Sequence, residues 1–206
     1  MALFITFEGG EGSGKTLQSK ALYRRLYQLA IPVILTHEPG GTSLGRKISY
    51  SLKWNNNIAA LTELLLFNAS RALLVEQVIQ PNLRSGRLVI CDRYTDSTIA
   101  YQCYGRGLDL ATVQSINNMA TRGLRPSLTV FMDIPIEVGL ARKISQRPDR
   151  FEQENIDFHR RVREGYLKMV AVEPDRWLVI DATQSREVIK EIIWGRLSQL
   201  LPQRTE

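Results

Sequence analysis

The run Gly9-Gly10-Glu11-Gly12-Ser13-Gly14-Lys15-Thr16 constrains this chain more than any other feature. It fits G-x-x-x-x-G-K-[ST], with an apolar run from Leu3 to Phe7 before it and a helical spacing of apolar residues (Leu17, Ala21, Leu22, Leu26, Leu29) after it. A strand, a glycine-rich loop and a helix in that order form a phosphate cradle. The glycines let backbone N–H groups wrap an anion, and the helix N-terminus adds the positive end of its dipole. In such a cradle Lys15 is expected on the β- and γ-phosphates and the Thr16 hydroxyl on Mg²⁺. Gly9, Gly10, Glu11, Gly12, Ser13, Gly14, Lys15 and Thr16 are therefore expected to bind ATP.

The rest of the chain supplies the sheet that such a loop needs. Short apolar runs at 32–36, 87–91, 128–132 and 177–180 read as further strands, alternating with helical patterns at about 58–79, 110–120, 152–170 and 186–200. Pro81 and Gly86 are expected to stop the second helix, and Pro135 to open a helix after the fourth strand. Residues 93–107 read as a polar stretch and 143–150 as an irregular, mobile loop. Strands that are apolar throughout, each followed by a helix, predict an α/β fold: a five-stranded parallel sheet with helices on both faces. Glu8, Glu38, Asp92, Asp133 and Asp181 each fall at the carboxyl end of a strand, where such sheets bind ligands. With no repeat, linker or low-complexity tract, residues 1–206 read as one domain, with a lid at about 142–152.

Composition narrows the class. With 206 residues, 44% hydrophobic, and a net charge of only +6, the chain can bury a core and does not read as disordered. No stretch approaches the ~18 apolar residues of a membrane span. Glu8 follows the first apolar run too soon for a signal peptide, so a cytoplasmic protein with reduced Cys91 and Cys103 is expected. The basic residues are mostly Arg, which suits bidentate phosphate binding. There is no basic run with interleaved aromatics and no zinc spacing, so nucleic acid and membrane are not expected partners. An N-K-x-D guanine reader is absent, and the chain is short for a motor ATPase. What remains is a small kinase acting on another small molecule.

Asp92-Arg93-Tyr94 through Ser97 to Ala100-Tyr101-Gln102 then resembles the signature of the thymidylate kinase family, as Glu38-Pro39-Gly40-Gly41-Thr42 resembles its E-P-G-G-T segment. Asp133-Ile134-Pro135, Asp149-Arg150-Phe151-Glu152 and Asp181-Ala182-Thr183 match later blocks in order. The resemblance implies transfer of the ATP γ-phosphate to dTMP, with Mg²⁺, in a homodimer. Gly12 stands where one branch of that family carries a loop arginine, so the chain looks like the branch that supplies arginines from the lid.

By that resemblance Arg93 bridges the acceptor phosphate and the transferred group. Asp92 holds the Mg²⁺ shell, with Asp133 a rival. Arg150, and less firmly Arg147, close over the γ-phosphate, and Arg142 stacks on adenine. Phe67 stacks on thymine and Arg71 hydrogen-bonds its edge; Glu38, Pro39, Thr98 and Gln102 line the acceptor site. Tyr101 crowds the sugar 2′ position and Glu11 accepts from the 3′-hydroxyl. His37 replaces an arginine common in the family, leaving its role open. The alternatives are another nucleoside or nucleotide kinase, a binding module that holds ATP without turnover, and a nucleic-acid binder driven by charge.

Overall fold

A computed structural model describes residues 3–55, 57–143 and 148–201. Its centre is a five-stranded parallel sheet: β1 (Phe4–Glu8), β2 (Val33–His37), β3 (Leu88–Asp92), β4 (Leu128–Asp133) and β5 (Trp177–Asp181), in the spatial order β2-β3-β1-β4-β5. The five apolar runs all become strands. Because both faces are covered, even the central strand β1 is buried at every residue. Ile5 and Phe7 pack to one side with Leu22, Leu26, Ile189 and Ile193. Phe4 packs to the other with Leu74, Val75, Ile79 and Tyr94.

Helix α1 (Lys15–Gln28) follows the phosphate loop, and α2 (Ser43–Trp54) and α3 (Ala60–Leu74) follow β2. Most residues of α2 are polar or exposed, and its apolar row is only Leu44, Ile48 and Leu52, one every fourth residue. Its start is nonetheless encoded, since the Thr42 side chain accepts a hydrogen bond from Gly45 N at 3.0 Å as an N-cap. Pro81 does not stop the helical run: α3 passes through a π-helical segment, Val75–Ile79, into α4 (Gln80–Arg84). The proline falls just past the π-helical segment, where the regular i→i−4 hydrogen-bond ladder is already interrupted.

A second correction matters more for function. The polar stretch after β3 is helical, with a short α5 (Thr95–Thr98) running directly into a π-helical segment, Ile99–Gly105. Its polarity reflects a face turned to the site. Then come α6 (Leu110–Thr121), α7 (Ile136–Arg142) after β4, α8 (Ile156–Val172) and α9 (Arg186–Ser198) after β5. Asp109, Asn155 and Ser185 cap α6, α8 and α9 by accepting from Thr112 N, Phe158 N and Val188 N. Among the described residues no helix is long and apolar enough to cross a membrane. Both cysteines are free.

Candidate active site

The five carboxylates expected at strand ends are all there, and a cavity of about 1260 Å³ opens beside the phosphate loop. Gly9 and Gly12 hold positive φ values of 144° and 68°, and a Cβ on Gly9 would stand 2.6 Å from the Met132 carbonyl oxygen. The loop therefore takes a path that only glycine follows at these points. Lys15 Nζ donates to Gly10 O at 2.6 Å and to Ser13 Oγ at 3.2 Å. Burial and the neighbouring Arg93 charge pull its pKa down to about 8, against the opposite pull of Glu11, Asp92 and Glu8. Its ammonium is already held at the centre of the cradle.

The Thr16 hydroxyl donates to Asp92 Oδ2 in a short hydrogen bond. A hydroxyl and a carboxylate oxygen are the hard donors that Mg²⁺ prefers, and two protein oxygens leave room for the waters and phosphate oxygens it retains. Among the described residues no cluster of three or more His, Cys, Asp or Glu forms a closed metal cage. Asp133, the rival, is taken by Arg163, whose Nε and Nη2 reach its two oxygens at 2.6 and 2.8 Å. That pairing engages both carboxylate oxygens of Asp133.

Arg93 stands opposite the loop because β3 pairs directly with β1, Asp92 beside Phe7. Its own φ is +70°, a turn that swings the side chain back over the loop. Nη1 donates to Gly9 O at 3.3 Å and Ser97 Oγ at 3.1 Å; Nη2 donates to Glu11 Oε1 at 2.7 Å and Tyr101 OH at 3.2 Å. Burial opposes the charge on Glu11, but Arg93, Lys15 and Lys143 outweigh it and hold the carboxyl well below its usual range.

Glu8 supports this turn from below. Fully buried, it accepts from Tyr94 N at 2.7 Å, Ser97 Oγ at 2.6 Å and Tyr166 OH at 2.9 Å. Burial, aided by the Asp96 charge, pushes its pKa up to about 7. The sequence placed Glu8 at a strand end; its grip on the Tyr94 backbone and on Ser97 appears only in three dimensions.

Glu38, Pro39, Phe67, Arg71, Thr98, Tyr101 and Gln102 are brought together along the other half of the cavity. Arg71 is 1% exposed and does not offer the free base-reading edge expected of it. Nε donates to Glu38 Oε2 at 2.7 Å, Nη1 to Asn68 and Asn117, and Nη2 to Tyr94 O at 3.1 Å and Thr98 Oγ1 at 2.8 Å. Every N–H of this guanidinium has a protein acceptor. The Glu38 carboxyl, pushed up to about 7 by burial despite Arg71, leaves Oε1 buried without a hydrogen-bond partner among the described residues. Phe67 is half-buried with its ring 5.9 Å from Phe151, so stacking surface and core packing coexist in one residue.

The lid segment departs most from expectation. Arg150 is not brought to the phosphate loop. Its Nη2 makes a short ion pair with Glu63, its Nε donates to Leu52 O at 3.2 Å, and its guanidinium lies 4.8 Å from the centre of the Phe151 ring. The reason is electrostatic: Glu63 is a fully buried carboxylate on α3, and a guanidinium is the partner that makes such burial tolerable. Among the described residues of this segment Lys143 reaches the loop, with Nζ 3.2 Å from Glu11 Oε2 and also paired with Glu152. Arg142 donates to Ala182 O at 2.9 Å on the donor side of the cavity. Arg147 lies outside the described residues. Glu63 was signalled in the sequence only as a lone acid inside the apolar run of α3.

Comparison with known proteins points to one family. The model of the family described as "Thymidylate kinase" matches residues 7–193. The chain is 55% identical over 208 residues to the thymidylate kinase of Dehalococcoides mccartyi strain CBDB1, covering 100% of both chains. To that of Synechococcus sp. strain JA-2-3B'a(2-13) it is 47% identical over 203 residues, covering 98% of each. A crystal structure of thymidylate kinase from Ehrlichia chaffeensis superposes with a TM-score of 0.78 at 32% identity, covering 97% of this chain and 99% of that one.

Proposed function

The chain belongs to the thymidylate kinase family, transfers the γ-phosphate of ATP to dTMP to give dTDP and ADP on the way to dTTP, and we propose that Lys15, Asp92 and Arg93 do this work with a cation from the 142–152 lid. The observation that carries the assignment is the meeting of two loops at the ends of adjacent strands: the phosphate loop after β1 and the Asp92-Arg93 turn after β3, with one cavity running past both.

Transfer between two polyanions is limited by charge and alignment, so the protein's part is positioning and electrostatic stabilisation. Lys15 and the loop amides from Gly9 to Thr16 hold the donor phosphates. Thr16 and Asp92 would hold Mg²⁺, which neutralises phosphate charge when bound. Arg93, poised between the loop and Tyr101, spans donor and acceptor phosphates. Lys143 takes the lid role first expected of Arg150, since it already contacts Glu11 across the loop; Arg147 is the other lid cation proposed for it. Arg142 borders the adenine. Glu11 orients Arg93 and Tyr101, and Tyr101 stands at the sugar edge.

Phe67, Pro39, Thr98 and Gln102 form the base site, and Arg71 and Glu38 act from its floor. Residues 1–206 are read as one domain. A homodimer is the proposed assembly, supported by Leu61 and Leu65, which lie four apart on α3 and stay about half exposed. The cytoplasm, where both nucleotides occur, is the proposed place of action. An ATP-consumption assay across dTMP, dUMP, dCMP and dGMP tests the acceptor assignment: dTMP is expected to give the highest kcat/KM, and a higher value for another monophosphate overturns it.

A further inference from the structure

Glu63 on α3 is 0% exposed, yet it lies within reach of the base site through one intermediary. Gln102 Nε2 donates to Glu63 Oε1 at 2.7 Å. The other partners of Glu63 are Arg106, at 3.3 Å from Nε to Oε1 and from Nη2 to Oε2, and Arg150. A carboxylate held between two guanidinium groups can only accept hydrogen bonds, so the side of the Gln102 amide that meets it must be the NH₂. The amide is thereby fixed in one of its two orientations. Its oxygen, with no hydrogen-bond donor among the described residues, is left for the cavity that Gln102 lines.

We infer that Glu63 is a specificity-determining positioning residue: by pinning the Gln102 amide, it presents an acceptor to the base edge and so selects a base that carries N–H there. Thymine has N3–H at that edge, whereas cytosine has a lone pair at N3. The neighbouring Thr98 continues the pattern. Its Oγ1 accepts from Arg71 Nη2 at 2.8 Å, which leaves the hydroxyl proton to give. An acceptor at Gln102 beside a donor at Thr98 matches the N3–H and O4 pair of thymine and opposes the N3 and N4 amino pair of cytosine. A buried polar site left facing the wrong partner discriminates strongly, because the unpaired group cannot turn to water.

This inference rests on the proposed acceptor site, and its test separates the two. The ratio of kcat/KM for dTMP over dCMP is measured for the wild type, Glu63→Gln, Gln102→Leu and the double variant. The wild type is expected to prefer dTMP; if it does not, the acceptor site itself is wrong and this inference falls with it. Glu63→Gln can offer either a donor or an acceptor to Gln102, so the amide is free to turn and the ratio is expected to fall at least tenfold. In the Gln102→Leu background the same substitution is expected to leave the ratio unchanged, because its intermediary is gone. A loss of activity towards both nucleotides in equal proportion would make Glu63 merely structural and overturn the inference. If Glu63→Gln does not fold, Glu63→Asp withdraws the carboxylate from Gln102 while keeping its charge; an unaltered ratio there overturns the inference as well.

Discussion

A Cβ built on Gly12 would stand 1.9 Å from the carbonyl oxygen of Gly139. One on Gly139 would lie 2.5 Å from the carbonyl oxygen of Glu11. The phosphate loop and α7, which leads into the lid, are packed backbone against backbone, and the loop at Gly12 also holds a φ of +68°. A side chain at this position would meet the α7 backbone.

Gly12→Ala is therefore expected to destabilise the protein by about 1–3 kcal/mol through clash and left-handed strain, and to raise the KM for ATP. Thermal unfolding and ATP kinetics check it. An unchanged melting temperature would mean that α7 moves aside at no cost, and the close packing would lose its significance.

Lys143 and Arg150 are expected to divide their effects. Lys143→Ala is expected to lower kcat by about 10²–10³ while leaving dTMP binding nearly unchanged, as loss of a group that acts on transition-state charge does. Arg150→Ala, which strips a partner from Glu63, is expected to raise the KM for dTMP more than it lowers kcat. Steady-state kinetics with each substrate varied in turn decides between them. The reverse pattern would return Arg150 to the γ-phosphate.

Phe67→Ala is expected to weaken dTMP binding by about 1–3 kcal/mol, the usual worth of one aromatic–base stack. Calorimetry gives the Kd directly. An unaltered Kd with a lowered melting temperature would make the Phe67–Phe151 contact purely structural.

Glu8 predicts a pH dependence of stability. Its carboxyl titrates near 7 in the folded protein against 4.5 as its ordinary value, raised by burial and by Asp96. A raised pKa means that the folded state binds the proton more tightly than the unfolded chain does. The resulting stabilisation is complete below about pH 4.5 and is lost as pH rises through about 7. Glu8→Gln, which does not titrate, is expected to remove this slope. Between pH 5 and 7.5 the wild type is expected to lose about 1–3 kcal/mol relative to the variant. Parallel denaturation curves for the two proteins over that interval would contradict it.

The sheet was legible because its strands are short, apolar throughout and closed by an acid or a breaker. A strand buried on both faces carries that signal in its own residues. The segment after Asp92 was not legible as helix. Thr98, Tyr101 and Gln102 line the cavity and hydrogen-bond to Arg71, to Arg93 and Glu11, and to Glu63 in turn, and their polarity interrupts the apolar period by which a helix is read. The helix α2 is mostly polar or exposed, and its apolar face is a single narrow row. Thr42 as N-cap and the four-residue spacing of Leu44, Ile48 and Leu52 were its local marks.

The sequence alone determined the phosphate loop, the parallel sheet, the Asp92-Arg93 turn and the family, because each depends on residue types at fixed short spacings. Tertiary structure alone decided which cation meets which anion. Arg150 lies 87 positions from Glu63 and Lys143 lies 132 from Glu11, and local spacing carries no information across such distances. The choice came from burial: Glu63 is fully buried and is paired with the guanidinium groups of both Arg106 and Arg150. Among the described residues of 142–152, Lys143 touches the loop through Glu11.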